Sequence, residues 1–419
     1  MRTPPGFSRR FAGVFLSAVI AAPIVISAIA STPAQAAGTP LFPDLKTLPG
    51  RELRFDRADV SADLSGDFHN VLRFSNDTYN AGDGPLILNA HIDPTTLRGP
   101  STQRVMNSDG TFTDYPLNND MYWHAAHHHY HFDNWGEYTL WSKTTYDSWI
   151  ASGRTVGAPL YTGSKATSCV TDEEYITSVP ASVYPGPYGL GGCQTDGQGN
   201  IHMGLSVGWG DTYDWYRQLQ WIDFGQNTLG SGTYVLRSVA DPLNIVYESA
   251  NKADTSRESI TDNEATRTFV VSGTSILDSD APNGTVSINH VDPTTTNAAV
   301  SVDIVGRDDV SGPSQFRLSN DGTTFKTFSY TSSGSTPTTV AWNLTDPLYG
   351  GNSSTGVKTV YAQVKDNSGK WGPTFTDTIQ YGSGGPPPPP PPPPPPNGPY
   401  AQAVAGDNAS GYWRLDETS

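Results

Sequence analysis

Met121-Tyr-Trp-His-Ala-Ala-His-His-His-Tyr-His-Phe-Asp-Asn-Trp-Gly-Glu-Tyr-Thr-Leu-Trp141 carries five of the chain's nine histidines, all between His124 and His131. His127, His129 and His131 are spaced by two. Alternate residues of a β-strand point to one face, so on a strand these three imidazoles share a side. The flanking Trp, Tyr and Leu residues favour strand, and helical periodicity is missing. Three neutral imidazoles on one face outline a site for Cu, Zn, Ni or Fe. A flat strand spans roughly 13 Å from His127 to His131. A histidine nitrogen sits about 2 Å from its metal, so each side chain reaches roughly 5–6 Å from Cβ. A flat strand barely lets the outer two meet one ion, and a bend at His129 is expected. The competing description is a histidine-rich surface strand with adventitious metal affinity.

The chain has 419 residues, enough for two to four domains. Its formal net charge of −16 argues against nucleic acid as a partner and weakly favours cationic substrates. With 42 Gly, 34 Pro and 36% hydrophobic residues, it reads as rich in loops and strands. Arg9-Arg10, an apolar run from about Phe11 to Ala30, and Ala34-Gln35-Ala36 form the outline of a cleaved secretion signal over residues 1–36. An uncleaved anchor is the alternative, because the run approaches spanning length. In an exported protein Cys169 and Cys193 are expected to pair, closing a loop worth about 3 kcal/mol on the loop-entropy model. A copper-binding thiolate is the other use for one of them.

Residues 37–273 read as one all-β unit, a β-sandwich with long loops. Its strand-like runs are Val71–Phe74, Pro85–Leu88, Gln220–Phe224, Tyr234–Arg237 and Thr268–Val271, separated by Gly, Asn, Asp and Pro clusters. Residues 274–382 repeat the pattern with Val286–Ile288, Val300–Ile304, Gln315–Leu318 and Thr359–Val364, as an immunoglobulin-like sandwich does. Eleven prolines, Pro386–Pro396, lie in a linker over 383–399 and form a polyproline rod roughly 34 Å long. Residues 400–419 hold Gly411-Tyr-Trp-Arg-Leu-Asp-Glu-Thr418, which resembles the opening strand of a laminin-G or concanavalin-type module cut short.

Trp123-His-x-x-His-x-His-Tyr-His131 resembles the copper signature of the lysyl oxidase family, Trp-x-Trp-His-Ser-Cys-His-Gln-His-Tyr-His. Further likenesses follow in order. Val71–Phe74 with Asn80-Ala-Gly82 is similar to the strand ahead of that site. Ser164-Lys-Ala-Thr-Ser-Cys169 resembles His-Lys-Ala-Ser-Phe-Cys. Gly204-Leu-Ser-Val-Gly-Trp-Gly-Asp-Thr-Tyr213 resembles Gly-Leu-Ser-Pro-Gly-Cys-Tyr-Asp-Thr-Tyr. Gln220-Trp-Ile-Asp223 is identical to the family's tetrapeptide, and Gly232–Arg237 is similar to the strand after it.

The resemblance implies copper held by His127, His129 and His131, with His124 close by. It implies that Lys165 and Tyr213 form lysyl tyrosylquinone, and that primary amines or protein lysines are oxidised by O2 to aldehydes with release of H2O2 and ammonia. Chemically, only a phenol ring yields an o-quinone, and only a neutral, desolvated amine adds to it readily. Asp133, Glu137 and Asp211 are the neighbouring carboxylates from which a base could come. Glu137 stands where the family pattern has histidine, and structural hydrogen bonding is the commoner role for each. Asp44, Glu248, Asp262 and Asn263 resemble a calcium position, and hard oxygen ligands suit that ion. Two cysteines against the many of animal relatives, and Ala126 in place of the motif cysteine, leave the disulfide framework open.

Two other function classes fit parts of the chain. One is a non-enzymatic surface protein whose histidine strand stores copper or zinc and whose C-terminal modules serve attachment or matrix binding, with cell-surface polysaccharide as a partner. The other is a zinc hydrolase, which needs an activated water and a general base.

Overall fold

A computed structural model describes residues 38–61, 65–125, 127–163, 167–176, 193–248, 263–332 and 337–382. The expected signal segment, the polyproline run, the final module, Lys165 and Asp262 lie outside the described residues. Strands dominate, as the short apolar runs between turn residues foretell, and each run named above lies in or overlaps a strand. The α-helix Lys143–Ala151 is capped by Ser142, whose hydroxyl accepts from Thr145 N.

The N-terminal strands form three sheets. One runs Asn200–Leu205, Leu86–His91, Arg98–Asn107, Phe112–His124, His129–Phe132, with Pro40–Leu41 beside Arg98–Asn107. A second runs Tyr161–Thr162, Gly136–Ser142, Gly232–Ala240, Glu264–Ser272, Ser275–Ile276. In the third, the long strand Phe68–Asn80 pairs with Leu45–Thr47, Arg51–Asp59, Trp209–Tyr213 and Trp221–Asp223. The second and third sheets share a core built from Leu72, Phe74 and Ile222 on one side and Leu140, Leu236 and Phe269 on the other. Each such side chain contributes about 1.5–3 kcal/mol by leaving water.

The strands Asn283–Ile288, Ala299–Arg307 and Thr338–Asn343 form one sheet of a second β-sandwich. The facing sheet is built on Pro313–Ser319, Gly356–Asp366 and Phe375–Tyr381. Both sheets feed one core, with Val302, Ile304 and Trp342 against Phe316, Val360 and Val364.

A buried charge network joins the two sandwiches. The Arg51 guanidinium donates to both Asp77 oxygens at 3.0 and 2.9 Å, and Nη1 reaches Glu52 Oε2 at 3.1 Å. Thr212 Oγ1 donates to Asp77 Oδ1 at 2.8 Å. From the second sandwich, Arg307 pairs with Glu174 and stands 4.0 Å from Asp77. Burial, with the Arg51 charge adding, pulls Arg307 down to about 10, against the attraction of Asp77. It therefore stays cationic at neutral pH. Glu52 N and Leu53 N also donate to the Asp308 and Asp309 carbonyls at 2.9 and 2.8 Å.

Removing one partner of a buried pair leaves an unpaired charge, so Arg307→Ala is expected to cost about 3–5 kcal/mol. Denaturant unfolding of the full chain measures it. A loss below about 1 kcal/mol would show that Arg51 alone holds Asp77 and Glu174.

Candidate metal and quinone site

The histidine stretch folds as a hairpin. Phe112–His124 pairs antiparallel with His129–Phe132, setting His124 opposite His129 and Tyr122 opposite His131. Met121, Tyr130 and Phe132 point into the core and are buried. By alternation Tyr122, His124, His129 and His131 share the opposite side. This differs from three histidines on one strand. His129 and His131 do alternate on a strand, but His127 belongs to the turn, where its N–H and that of His128 both donate to the His124 carbonyl. The expected bend falls at His128, whose φ is +57°, and not at His129. The left-handed residue reverses the chain and carries the His127 ring back over the strand. It also leaves His128 itself exposed.

The turn gathers four rings. His127 Nδ1 and His129 Nε2 stand 3.1 and 3.0 Å from His131 Nε2. Ring nitrogens of His124, His127 and His131 lie within 4.8 Å of one another. His124, which the motif placed only close by, is thus fully part of the cluster, its ring 4.4 Å from His127 and 4.5 Å from His131. Two nitrogens each about 2 Å from one ion lie roughly 2.8 Å apart at a right angle and roughly 3.3 Å apart at the tetrahedral angle. The observed 3.0 and 3.1 Å fall between, so this donor set fits one imidazole-loving metal ion. His131 Nδ1 is hydrogen-bonded to Thr167 Oγ1 at 2.8 Å, and Tyr122 donates to the same oxygen at 3.2 Å. A second-shell partner of this kind orients a ligating ring.

The segment around Thr167 carries the site onward. Phe132 N donates to Ser168 O at 2.8 Å, and Ser168 N returns to Phe132 O at 3.2 Å. Cys169 and Cys193 form a disulfide. Tyr130 N donates to Cys193 O at 2.9 Å. The disulfide therefore ties together the two segments that flank the histidine strand.

Asp211 and Tyr213 alternate on one face of Trp209–Tyr213, while Thr212 faces the charge network. The Ser168 hydroxyl donates to Asp211 Oδ2 at 2.7 Å. Cys169 N donates, at 3.5 Å, to the Tyr213 hydroxyl. Tyr213 is only 7% exposed. Burial first, and then the Asp211 charge, push its phenol well above the ordinary range. The Arg217 guanidinium lies 5.6 Å from the ring centroid. A small cavity lined by Thr167, Ser168, Asp211, Tyr213, Trp135 and Tyr138 has room for about one water molecule.

The other carboxylates are engaged elsewhere. Asp133 accepts from Asn134 N, and Glu137 pairs with Arg237 at 3.0 Å. At the calcium-like position Glu248 is fully buried and accepts from Leu45 N and Asn263 Nδ2. Burial pushes its carboxyl up to about 8, against the pull of the Leu45 N–H. Asp44, next in the chain, is hydrogen-bonded through its N–H to Asn80 Oδ1 and ion-paired with Lys46. Thr167, Ser168, Tyr122 and Arg217 were not singled out from the sequence. The first two stand inside the Ser164–Cys169 motif, which was a usable signal. For Arg217 no signal was present.

The lysyl oxidase family model matches residues 89–271. No curated protein matches. The PKD1 domain of Epp from Vibrio anguillarum aligns with 24% of this chain and 96% of that domain, at 14% identity and a TM-score of 0.17, which carries no structural argument. Residues 89–271 hold the histidine hairpin, the disulfide and the Tyr213 strand, so the part of the chain that carries the candidate site is the part similar to the lysyl oxidase family.

Proposed function

We propose that the chain is an exported, copper-dependent amine oxidase whose organic cofactor is built from Lys165 and Tyr213. The net reaction takes a primary amine, O2 and water to an aldehyde, ammonia and H2O2. The substrate is a free amine or a peptidyl lysine, which the acidic surface attracts. The observation that carries this reading is one short segment, Thr167–Cys169, that hydrogen-bonds His131 of the histidine cluster at one end and the Tyr213 hydroxyl at the other. Copper, when bound, supplies the one-electron chemistry with O2 by which a phenol ring becomes a quinone.

His127, His129 and His131 would hold the metal, with His124 as a further donor. The Thr167 hydroxyl, hydrogen-bonded to His131 Nδ1, orients that ring so that Nε2 faces the other imidazoles, and with metal bound at Nε2 it would accept from Nδ1–H. Tyr213 is held as a neutral phenol by burial and by Asp211. Ser168 fixes Asp211 in place. Of the three carboxylates near the motif, Asp211 alone borders Tyr213. Arg217 covers the Tyr213 ring and limits its motion. Lys165 stands two residues before Thr167 in the chain, which favours a cross-link to Tyr213.

Export is proposed from the N-terminal signal pattern, and the disulfide is in keeping with an oxidising compartment. We read the second sandwich as an immunoglobulin-like module that, with the segments after it, presents the enzyme to surface polysaccharide.

Peptide mass mapping after copper loading in air is expected to find Lys165 joined to Tyr213. Tyr213→Phe is expected to abolish both the cross-link and quinone redox staining; staining that survives in Tyr213→Phe would overturn the cofactor assignment. Copper retention without H2O2 release on any amine would move the chain to a non-enzymatic metal-binding role.

Thr167→Ala is expected to weaken copper binding about 10–100-fold by freeing the His131 ring. His128→Ala should leave it unchanged, since that side chain points outward. Competition with a copper chelator reads both, and equal affinities in the two variants would remove Thr167 from the site.

A further inference from the structure

Away from the histidines, acidic side chains converge where the two sandwiches meet. Asp278 lies in the connection after Ser275–Ile276, Asp308 follows the strand Ala299–Arg307, and Asp366 ends the strand Gly356–Asp366. One carboxylate oxygen of each lies within 4.8 Å of the other two. Such clusters are common where water can solvate them. Here Asp308 is 3% exposed and Asp366 1% exposed.

The local turns account for only half of their oxygens. Asp308 Oδ2 accepts from Gly312 N at 2.8 Å, Val310 N at 3.3 Å and Ser311 Oγ at 3.2 Å. Asp366 Oδ1 accepts from Lys370 N at 2.7 Å. Asp308 Oδ1 and Asp366 Oδ2 are left buried with no hydrogen-bond partner. Native interiors rarely leave carboxylate oxygens in that condition without an ion or a water. Charge is also unbalanced. Asp309 is buried beside Asp308. Lys370, which donates to Asp278 Oδ1 at 2.5 Å, is the ammonium set against these four carboxylates. Burial, opposed by the Gly312 N–H and reinforced by Asp309 and Asp278, raises the Asp308 carboxyl.

We propose that Asp278, Asp308 and Asp366 bind one Ca2+ ion. The donors are all hard oxygens, which excludes a preference for copper or zinc. Convergent carboxylates in irregular loops suit calcium's flexible coordination better than the strict octahedron of magnesium. The half-exposed Lys370 side chain can leave Asp278 when the ion enters. The consequence is structural. The Asp308 and Asp309 carbonyls receive Glu52 N and Leu53 N of the first sandwich, so an ion on Asp308 stiffens the turn on which the two sandwiches dock. This site is separate from the calcium-like position at Glu248, and it does not depend on the amine oxidase reading.

The test uses the full chain, stripped with chelator and titrated with Ca2+ alone by calorimetry and thermal melting. Glu248→Gln removes the other candidate. In that background one equivalent of Ca2+ is expected to bind and to raise the melting temperature, and adding Asp308→Asn with Asp366→Asn is expected to abolish both effects. Ca2+ binding that persists in the combined variant overturns the proposal, as does a Glu248→Gln protein that binds none. Should the combined variant fail to fold, Lys370→Met decides. It is expected to tighten Ca2+ binding by about tenfold, because the competing ammonium is gone. Unchanged or weaker binding in Lys370→Met shows that the lysine is the cluster's resident cation and sinks the idea.

Discussion

The backbone bridge between Phe132 and Ser168 is the contact on which the candidate site depends. Its two hydrogen bonds lay the Thr167–Cys169 segment along the histidine strand. From that register follow the Thr167 bond to His131, the Ser168 bond to Asp211 and the approach of Cys169 N to the Tyr213 hydroxyl. A slip of one residue would turn Thr167 and Ser168 to opposite faces, because side chains alternate with period two. Register is therefore protected. Phe132 is buried in the core on one side of the strand, and the Cys169–Cys193 disulfide ties together the segments on either side of it. The chemistry is held by strands and their pairing, which positions groups more closely than free loops do.

Tyr213 rests on a second support. Thr212, its neighbour, turns the other way and is bound into the Arg51–Asp77–Glu174–Arg307 network. Charges taken out of water must be paired well or they destabilise the fold. Arg51 meets Asp77 in a two-pronged contact, the favourable geometry for that pair. Because Arg307 comes from the second sandwich, that sandwich completes the charge network beneath the strand Trp209–Tyr213 of the first. The second sandwich thus supplies a buried charge to the network that holds Thr212, the neighbour of Tyr213. The acidic cluster at Asp308 lies at the same junction, on the turn whose carbonyls receive Glu52 and Leu53.

Much of this was legible in the residues. The strand runs were read correctly because alternation and turn composition are local signals, set by the pleat and by backbone sterics. The pairing of Cys169 with Cys193 is an expectation from sequence, with no other thiol in the chain, and the fold decides it against a copper-binding thiolate by bringing the two together. The site was half legible. Residue types at His127, His129, His131 and Tyr213 pointed to metal and quinone chemistry, and their order matched a family.

The arrangement was not legible, and the reasons are physical. His128 adopts a left-handed backbone, which sequence reasoning assigns first to Gly or Asn, so the hairpin looked like a single strand. That error moved His127 from a strand face to a turn and left His124 underrated. Arg307 meets Glu174, and Asp308 meets Asp278 and Asp366, across separations over which no local pattern carries information. The sequence by itself determined the all-β class, the strand segments and the chemical types gathered for the metal. Only the tertiary structure decided which imidazoles face one another, which hydroxyl orients them and which buried charges face across the junction, because these follow from register and packing between segments far apart in the chain.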